Sequence, residues 1–317
     1  MLGRMPISVP PEVADTIRLY FDERGERWLD ALPRLVERLC GDWDLEIIGE
    51  SFSGGTHSFV APVRRADGSV AVLKAPVVDE GNAGEPTALY CYAGDGAVRL
   101  YEFDSASGAM LLEWARPGTP LLAQPGSPHL EGLPEHADKL VLAGRLYRRL
   151  RRPLRAVPAG FPPLPTIAAQ VRTWAELVDR PKPELAELLP PAVRERAVEW
   201  CRVLAVPQGP PVIVNRDTHL GNIVAAEREP WLLIDPQPYL GEAAFDAGYL
   251  ALIQIQSNPT RYHADAVVAR TADLLGVDGD RVRGWALLRA VEEIDWALGD
   301  DDAEEASTHL AIARALA

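Results

Sequence analysis

Asp217 and Asn222 stand five positions apart in VIVNRDTHLGNIV, a polar burst between two apolar runs, and Asp235 ends the apolar run LLID one short hairpin later. Two carboxylates and an amide, offering only oxygen, suit a hard cation such as Mg²⁺. Bare carboxylates about 4 Å apart repel by about 4 kcal/mol at an effective dielectric of 20, so such a cluster needs a metal or a shared proton. Phosphoryl transfer uses the same spacing: one aspartate orients the attacking hydroxyl, while an Asn and a second Asp hold metal ions. Two caps and a turn would account for D-x-x-x-x-N alone. They do not account for Asp235 at hairpin distance.

That chemistry also needs a cation and a loop beside the phosphates. Lysine is scarce here, with only Lys74, Lys139 and Lys182. Lys74 lies in SVAVLKAP, a β-branched strand resembling the V-A-I-K signature of kinases. An ammonium on a half-buried strand is costly without an anion. Phosphates and a carboxylate on the next helix are its natural partners, and Glu85 is the best placed acid. Pro86 directly after it suits a first helical turn. A solvent-facing strand lysine is the alternative. In SFSGGTHSF, Ser53, Gly54, Gly55 and Thr56 let backbone amides approach anionic oxygen, although a plain hairpin turn explains them equally and no G-x-x-x-x-G-K loop is present.

The elements that position these residues fall into two groups. PPEVADTIRLYFDERGERWLDALPRLVERLCGDW starts at a proline pair and repeats apolar residues at helical spacing, with Gly25 and Pro33 predicting two helices or a kink. Residues 44–116 switch to strand patterns, with a tight turn at Asp67-Gly68 and a helical stretch over 81–93. ARPGTPLLAQPGSP reads as a Pro/Gly linker. Helices are then predicted over 134–152, 166–179, 190–205, 243–257, 261–275, 280–298 and 302–316, interrupted by the hairpin NIVAAEREPWLLID. The prediction is an α+β, bilobal protein: a β-rich N-lobe over 1–115 that binds nucleotide, and a larger helical C-lobe over 116–317 that carries the Asp217 loop.

Composition narrows the function. A chain of 317 residues with 47% hydrophobic content can bury a sizeable core. No apolar run is long enough for a membrane span, and MLGRMPISVPPE lacks the apolar core of a signal peptide. Cys40, Cys91 and Cys201 are odd in number and widely spaced, which predicts free thiols in a reducing, cytoplasmic compartment. The net charge of −14 argues against a nucleic-acid surface; it suits a cationic small molecule, and plain solubility explains it as well.

Together these residues resemble the aminoglycoside phosphotransferases, a branch of the protein-kinase-like fold, and within them the streptomycin 6-kinase and hydroxyurea phosphotransferase group. The resemblance spans nearly the whole chain and is most specific around Asp217, Asn222 and Asp235. It implies Asp217 as the catalytic or hydroxyl-orienting residue, Asn222 and Asp235 as Mg²⁺ ligands, and Lys74 paired with Glu85 at the phosphates of ATP or GTP. Glu113, Trp114 and Ala115 would form the hinge that meets the nucleobase. Asp246, placed at a helix start where it could also be an N-cap, would buttress the catalytic loop.

This chain departs from the group at one position. Where the streptomycin kinases usually read H-G-D or H-W-D, it reads NRD: Asn215 replaces a histidine that organises the loop, Arg216 matches protein kinases, and His219 follows as a loop hydrogen-bonder. On the acceptor side, Glu292, Glu293, Asp295 and Trp296 in AVEEIDWAL form either an acidic wall for an amine- or guanidine-bearing acceptor or a solvated face. Three functions stay open: an O-kinase of an antibiotic, aminoglycoside-like or another hydroxylated natural product; a metabolic kinase of a sugar, choline-like or nucleoside substrate; and a non-catalytic pseudokinase. Monomer and dimer are both compatible with the sequence.

Overall fold

The computed structural model describes residues 7, 9–53, 57–123 and 139–317, so Gly54, Gly55 and Thr56 lie outside the described residues. Helix α1 (Pro11–Asp42) starts on a proline, whose fixed φ suits a first turn. The expected break occurs, but at Asp22 (φ 45°, ψ −132°), and Pro33 is absorbed within the second segment. Gly25 serves packing: a Cβ there would meet the Ile17 carbonyl oxygen at 2.6 Å, so only glycine lets the two segments fold together.

Strands β1 (Leu45–Ile47), β2 (Ser58–Arg65), β3 (Val70–Pro76), β4 (Leu100–Asp104) and β5 (Ala109–Glu113) form one antiparallel sheet in the order β1-β2-β3-β5-β4. The period of two along β3 decides where Lys74 points. Ala71, Leu73 and Ala75 pack against Leu32, Val36 and Leu39 of α1. Val72 joins the main core, so Lys74 shares the opposite face. Helix α2 (Glu85–Tyr92) is inserted between β3 and β4 and carries its proline in the first turn.

Of the stretch read as a linker, the described residues 117–123 are not irregular chain. β6 (Pro117–Pro120) pairs with β8 (Ile223–Ala226), which pairs in turn with β9 (Trp231–Leu233). Its prolines are tolerated because β6 is an edge strand with an irregular register. β7 (Val212–Asn215) pairs with β10 (Pro238–Gly241), a strand the sequence pattern did not reveal.

The helices are α3 (Lys139–Leu150), α4 (Ile167–Asp179), α5 (Pro183–Leu188), α6 (Pro191–Leu204), α7 (Phe245–Ile255), α8 (Arg261–Leu275), α9 (Gly279–Gly299) and α10 (Ala303–Leu316). Only α5, too short for a periodic signal, was not anticipated. Among the described residues no helix is long and apolar enough to cross a membrane.

Helix α9 is held to the rest of the helical core by a buried ion pair. Glu242 accepts from Arg281 Nε at 2.7 Å and Nη2 at 2.6 Å, from Trp285 Nε1 at 2.6 Å and from the Gln208 amide at 2.7 Å. Glu242 is 1% exposed and Arg281 5%. Glu242→Ala would strand a buried guanidinium and a buried indole N–H. It is expected to lower stability by about 3–5 kcal/mol, read as a fall in the urea midpoint. Arg27→Ala, which removes the exposed pair with Glu23, is expected to move that midpoint hardly at all.

Candidate active site

β7 delivers Asn215 to the start of the Asp217 loop, where it is 2% exposed. Its Oδ1 accepts the Gln237 amide at 2.8 Å and its Nδ2 donates to the Asp217 carbonyl at 2.8 Å. The amide thus ties the loop to the segment leading into β10. His219 caps the single turn Leu220–Asn222, its Nδ1 accepting from the Gly221 amide at 3.0 Å. Its Nε2 lies 3.3 Å from Asp217 Oδ2. The hydrogen bond to Asp217 raises the His219 pKa above the usual imidazole value.

From below, Thr218, fully buried, donates to the Asp246 carbonyl at 3.1 Å. The Asp246 carboxylate accepts from Arg151 Nη2 at 2.6 Å and Nε at 3.1 Å. Burial raises the Asp246 pKa, with Arg151 pulling the other way. Asp246 sits within the first turn of α7, whose N-cap is Ala244, so the capping alternative is replaced by this buried pair. Thr218 and Arg151 were missed. A threonine beside the aspartate and one arginine in an arginine-rich helix end carry no distinguishing spacing.

Asn222 Nδ2 donates to Asp217 Oδ2 at 3.0 Å, so the two residues five apart meet. The hairpin brings Asp235 alongside: Ile223 pairs with Leu233, and the Ile234 amide donates to the Asn222 carbonyl at 2.9 Å. Asp235 has φ 50°, a conformation that costs a non-glycine residue about 1–3 kcal/mol and clusters at functional sites. Its Oδ1 accepts from Lys74 Nζ at 2.6 Å, and Lys74 donates equally to Glu85 Oε2 at 2.6 Å. The strand lysine, the α2 acid and the hairpin acid form one cluster.

Burial alone would lower the Lys74 pKa, but Asp235 and Glu85 overcome it and hold the ammonium above the usual lysine value. Burial pushes Glu85 up to about 7, with Lys74 opposing and Asp235 assisting. The Oε1 of Glu85 is buried with no hydrogen-bond partner among the described residues. A carboxyl raised in the fold holds its proton more tightly than in the unfolded chain. Its contribution to stability is therefore full below the unfolded value and lost as pH rises towards about 7. For activity, kcat/KM for nucleotide is expected to fall on the acid side of about pH 7, as Glu85 takes a proton and releases Lys74. Glu85→Gln should remove that limb from the pH profile.

The donor set fits a hard divalent ion. Asp235 keeps one carboxylate oxygen apart from Lys74, and its side chain is 58% exposed beside Asn222. Among the described residues no three His, Cys, Asp or Glu gather as ligands, so an ion here would rely on these oxygens plus water and phosphate, as Mg²⁺ commonly does.

In the segment expected to be a hinge, the Glu113 carboxylate accepts from Arg228 Nε at 2.7 Å and Nη2 at 2.8 Å and from the Arg99 amide at 3.0 Å. Arg228, on the β8–β9 turn, also donates to the Gly94 carbonyl at 2.6 Å and the Ala97 carbonyl at 3.0 Å. It clasps the end of β5 to the loop after α2. Trp114 meets Phe52 edge-on with ring centroids 6.0 Å apart, one residue before the exposed Ser53. Arg228 and Phe52 carried no motif signal.

The acidic wall is corrected. Glu292 is 6% exposed and bonded to Gln170 at 3.0 Å and Arg289 at 2.7 Å, with Arg216 at 2.7 Å. Glu293 pairs with Arg289 at 2.7 Å and Asp295 with Lys182 at 3.1 Å. Trp296 lies under the guanidinium groups of both Arg216 and Arg289. These carboxylates form neither an open cationic subsite nor a solvated face, because Arg216 from the Asp217 loop and Arg289 of α9 neutralise Glu292 and Glu293, and Lys182 pairs with Asp295.

Residues 43–301 match the family model described as aminoglycoside/hydroxyurea antibiotic resistance kinase. The chain is 34% identical to a streptomycin 6-kinase of Streptomyces glaucescens, over 98% of this chain and 97% of that one. It is 32% identical to a hydroxyurea phosphotransferase of Kitasatospora aureofaciens, over 98% and 86%. In three dimensions it is similar to the aminoglycoside phosphotransferase APH(4)-Ia (TM-score 0.58, 14% identity, covering 89% of this chain and 97% of that one). It is also similar to the choline kinase LicA of Streptococcus pneumoniae (TM-score 0.55, 13% identity, 90% and 98%). With a β-sheet N-terminal region, a helical C-terminal region and a protein-kinase-like fold, the chain belongs to the aminoglycoside/hydroxyurea antibiotic resistance kinases and is a phosphotransferase acting on hydroxyl groups.

Proposed function

We propose that this protein transfers the γ-phosphate of ATP, with GTP as the alternative donor, to a hydroxyl of a small antibiotic or related hydroxylated natural product, and so confers resistance to it. The observation that carries the reading is the junction of Lys74, on the sheet, with Asp235, on the hairpin, beside the Asp217–Asn222 loop. Phosphoryl transfer needs a cation, metal ligands and a hydroxyl-orienting acid within reach of one another, and little covalent chemistry besides.

In this mechanism Asp217 accepts the hydrogen bond of the acceptor hydroxyl and aligns its oxygen with the γ-phosphorus, taking the proton as the new O–P bond forms and the bond from that phosphorus to the β,γ-bridging oxygen breaks, with the nucleoside diphosphate leaving. Asn222 holds Asp217 in place through its Nδ2 and offers its carbonyl oxygen, with Asp235, to Mg²⁺. An ion held there would supply neutralisation of the charge on the phosphates. Lys74 binds phosphate oxygens while Glu85 holds its ammonium in place. Ser53 would lie at the phosphates, and the backbone of Glu113, Trp114 and Ala115 would meet the base. Asn215, His219 and Asp246 keep the loop in shape. Residues 1–115 act as the nucleotide lobe and 116–317 as the acceptor lobe, in a cytoplasmic setting consistent with three free cysteines.

The test is mass spectrometry of acceptors incubated with protein, ATP and Mg²⁺. A product heavier by one phosphoryl group is expected across at least one class of hydroxylated antibiotic. Nucleotide binding without any phosphorylated product, over aminoglycoside, nucleoside, peptide, sugar and choline-like acceptors, would leave a binding protein instead.

A further inference from the structure

A cleft of about 360 Å³ opens where the end of β3, the start of α2, the β4–β5 turn and the second segment of α1 meet. None of the residues that line it belongs to the proposed phosphotransfer site, but three adjoin that site. Pro86 follows Glu85, Val77 lies three residues after Lys74, and Met110 pairs with Lys74 across the sheet. Val77 and Met110 are each 1% exposed. Gly108 (φ 76°) lets the β4–β5 turn close on the end of β3, since a Cβ there would meet Val78 Cγ2 at 2.4 Å. Residues 160–162, from the C-terminal region, close another side. Thr87 of α2 donates to the Pro162 carbonyl at 2.6 Å, and Phe161 meets Phe103 with ring centroids 4.8 Å apart.

The walls are apolar over Trp28, Val77, Val78, Pro86, Phe103 and Met110, and most of the polar groups among them are committed. Trp28 Nε1 donates to the Pro76 carbonyl at 3.1 Å, Asn82 Nδ2 to the Val77 carbonyl at 2.9 Å, and the Ser107 hydroxyl to Asp104. Two donors remain. The Ser105 hydroxyl has no hydrogen-bond partner among the described residues, and Arg24 spends only its Nη2, on the Val78 carbonyl. Arg24 is the one charged residue in the lining, on a chain of net charge −14. The neighbouring Asp104 carboxylate is already paired with Arg38 at 2.7 Å. An apolar cleft with one cation and one hydroxyl at its rim suits a ligand with an apolar body and a single anionic end.

We propose that this cleft binds a small arylalkyl monocarboxylate, its apolar body against Trp28, Phe103 and Met110 and its carboxylate on Arg24 and Ser105, and that binding there strengthens nucleotide binding. The second half rests on the phosphotransferase reading above. A ligand that touches Pro86, Val77 and Met110 together gains all its contacts only while α2, which carries Glu85, stays docked on the strand that carries Lys74. Such coupling is reciprocal: whatever factor the carboxylate adds to nucleotide affinity, the nucleotide adds to carboxylate affinity.

The experiment is calorimetry of the full chain with 3-phenylpropanoate, 4-phenylbutanoate and indole-3-acetate, each beside its neutral amide. At least one carboxylate is expected to bind with Kd below about 1 mM, and its amide about ten-fold or more weaker. Arg24→Gln, at an exposed position, should weaken the carboxylate about ten-fold and leave the amide unchanged. Ala83→Phe, which fills the cleft, should abolish binding of both. With the carboxylate saturating, the Kd for ATP with Mg²⁺ should fall about five-fold in the wild type and stay put in Ala83→Phe. Absence of binding by every carboxylate, amides that match their acids, or binding unmoved by both variants overturns the site. Carboxylate binding that leaves ATP affinity unchanged overturns the coupling. A protein that binds the carboxylate and no ATP removes the proposed function, and the coupling with it, while the site stands.

Discussion

Asp217→Asn is expected to cut turnover by about 10³-fold while leaving ATP binding within a few-fold of wild type. A positioned general base or hydroxyl-orienting group contributes about 10²–10⁴-fold, and the amide loses both the charge and the ability to take a proton. The substitution is otherwise mild. Asn222 Nδ2, which donates to Asp217 Oδ2 at 3.0 Å, can still donate to the carbonyl oxygen of the new amide. Asn215 and Thr218 hold the loop through backbone and neighbouring groups that do not change. Steady-state kinetics paired with calorimetry separates the two effects. Turnover within a few-fold of wild type would take Asp217 out of the reaction.

Asp235→Asn is expected to weaken ATP binding by about 100-fold or more in the presence of Mg²⁺ and far less in its absence, because a neutral amide is a poorer ligand for a hard cation. The change also removes one of the two carboxylates that hold Lys74, whose Nζ is 2.6 Å from each. Glu85 remains, buried and directly bonded, so the ammonium stays paired. The Asp235 side chain is 58% exposed, so the melting temperature is expected to stay close to wild type. Calorimetric titration of ATP with and without Mg²⁺ reads the first effect and a thermal melt the second. Equal affinities for both proteins with Mg²⁺ would remove Asp235 from the ion.

These two variants test different halves of one arrangement. Asp217 and Asn222 belong to a loop held rigid by Asn215, His219 and the Thr218–Asp246–Arg151 chain. Asp235, alongside that loop, also bonds to a lysine on a different sheet. In the proposed reading, rigid support on one side and a direct ion pair on the other would hold a metal and a phosphate between them.

Local sequence determined much of this. Period-two alternation fixed which face of β3 carries Lys74, and the proline after Glu85 fixed the start of α2, because both depend only on backbone geometry over a few residues. The D-x-x-x-x-N spacing with an acid one hairpin later made the meeting of Asp217, Asn222 and Asp235 foreseeable, since a hairpin constrains its own two strands. The tertiary structure decided the rest. Arg228 on Glu113, Arg151 under Asp246, and the arginines that neutralise Glu292 and Glu293 join residues brought together by the packing of separate elements. The charge around Glu292 and Glu293 is such a case. Counting acids along α9 gave a negative wall, but charge is a property of the neighbourhood in space. Arg216 enters that neighbourhood from a loop more than seventy residues earlier in the chain.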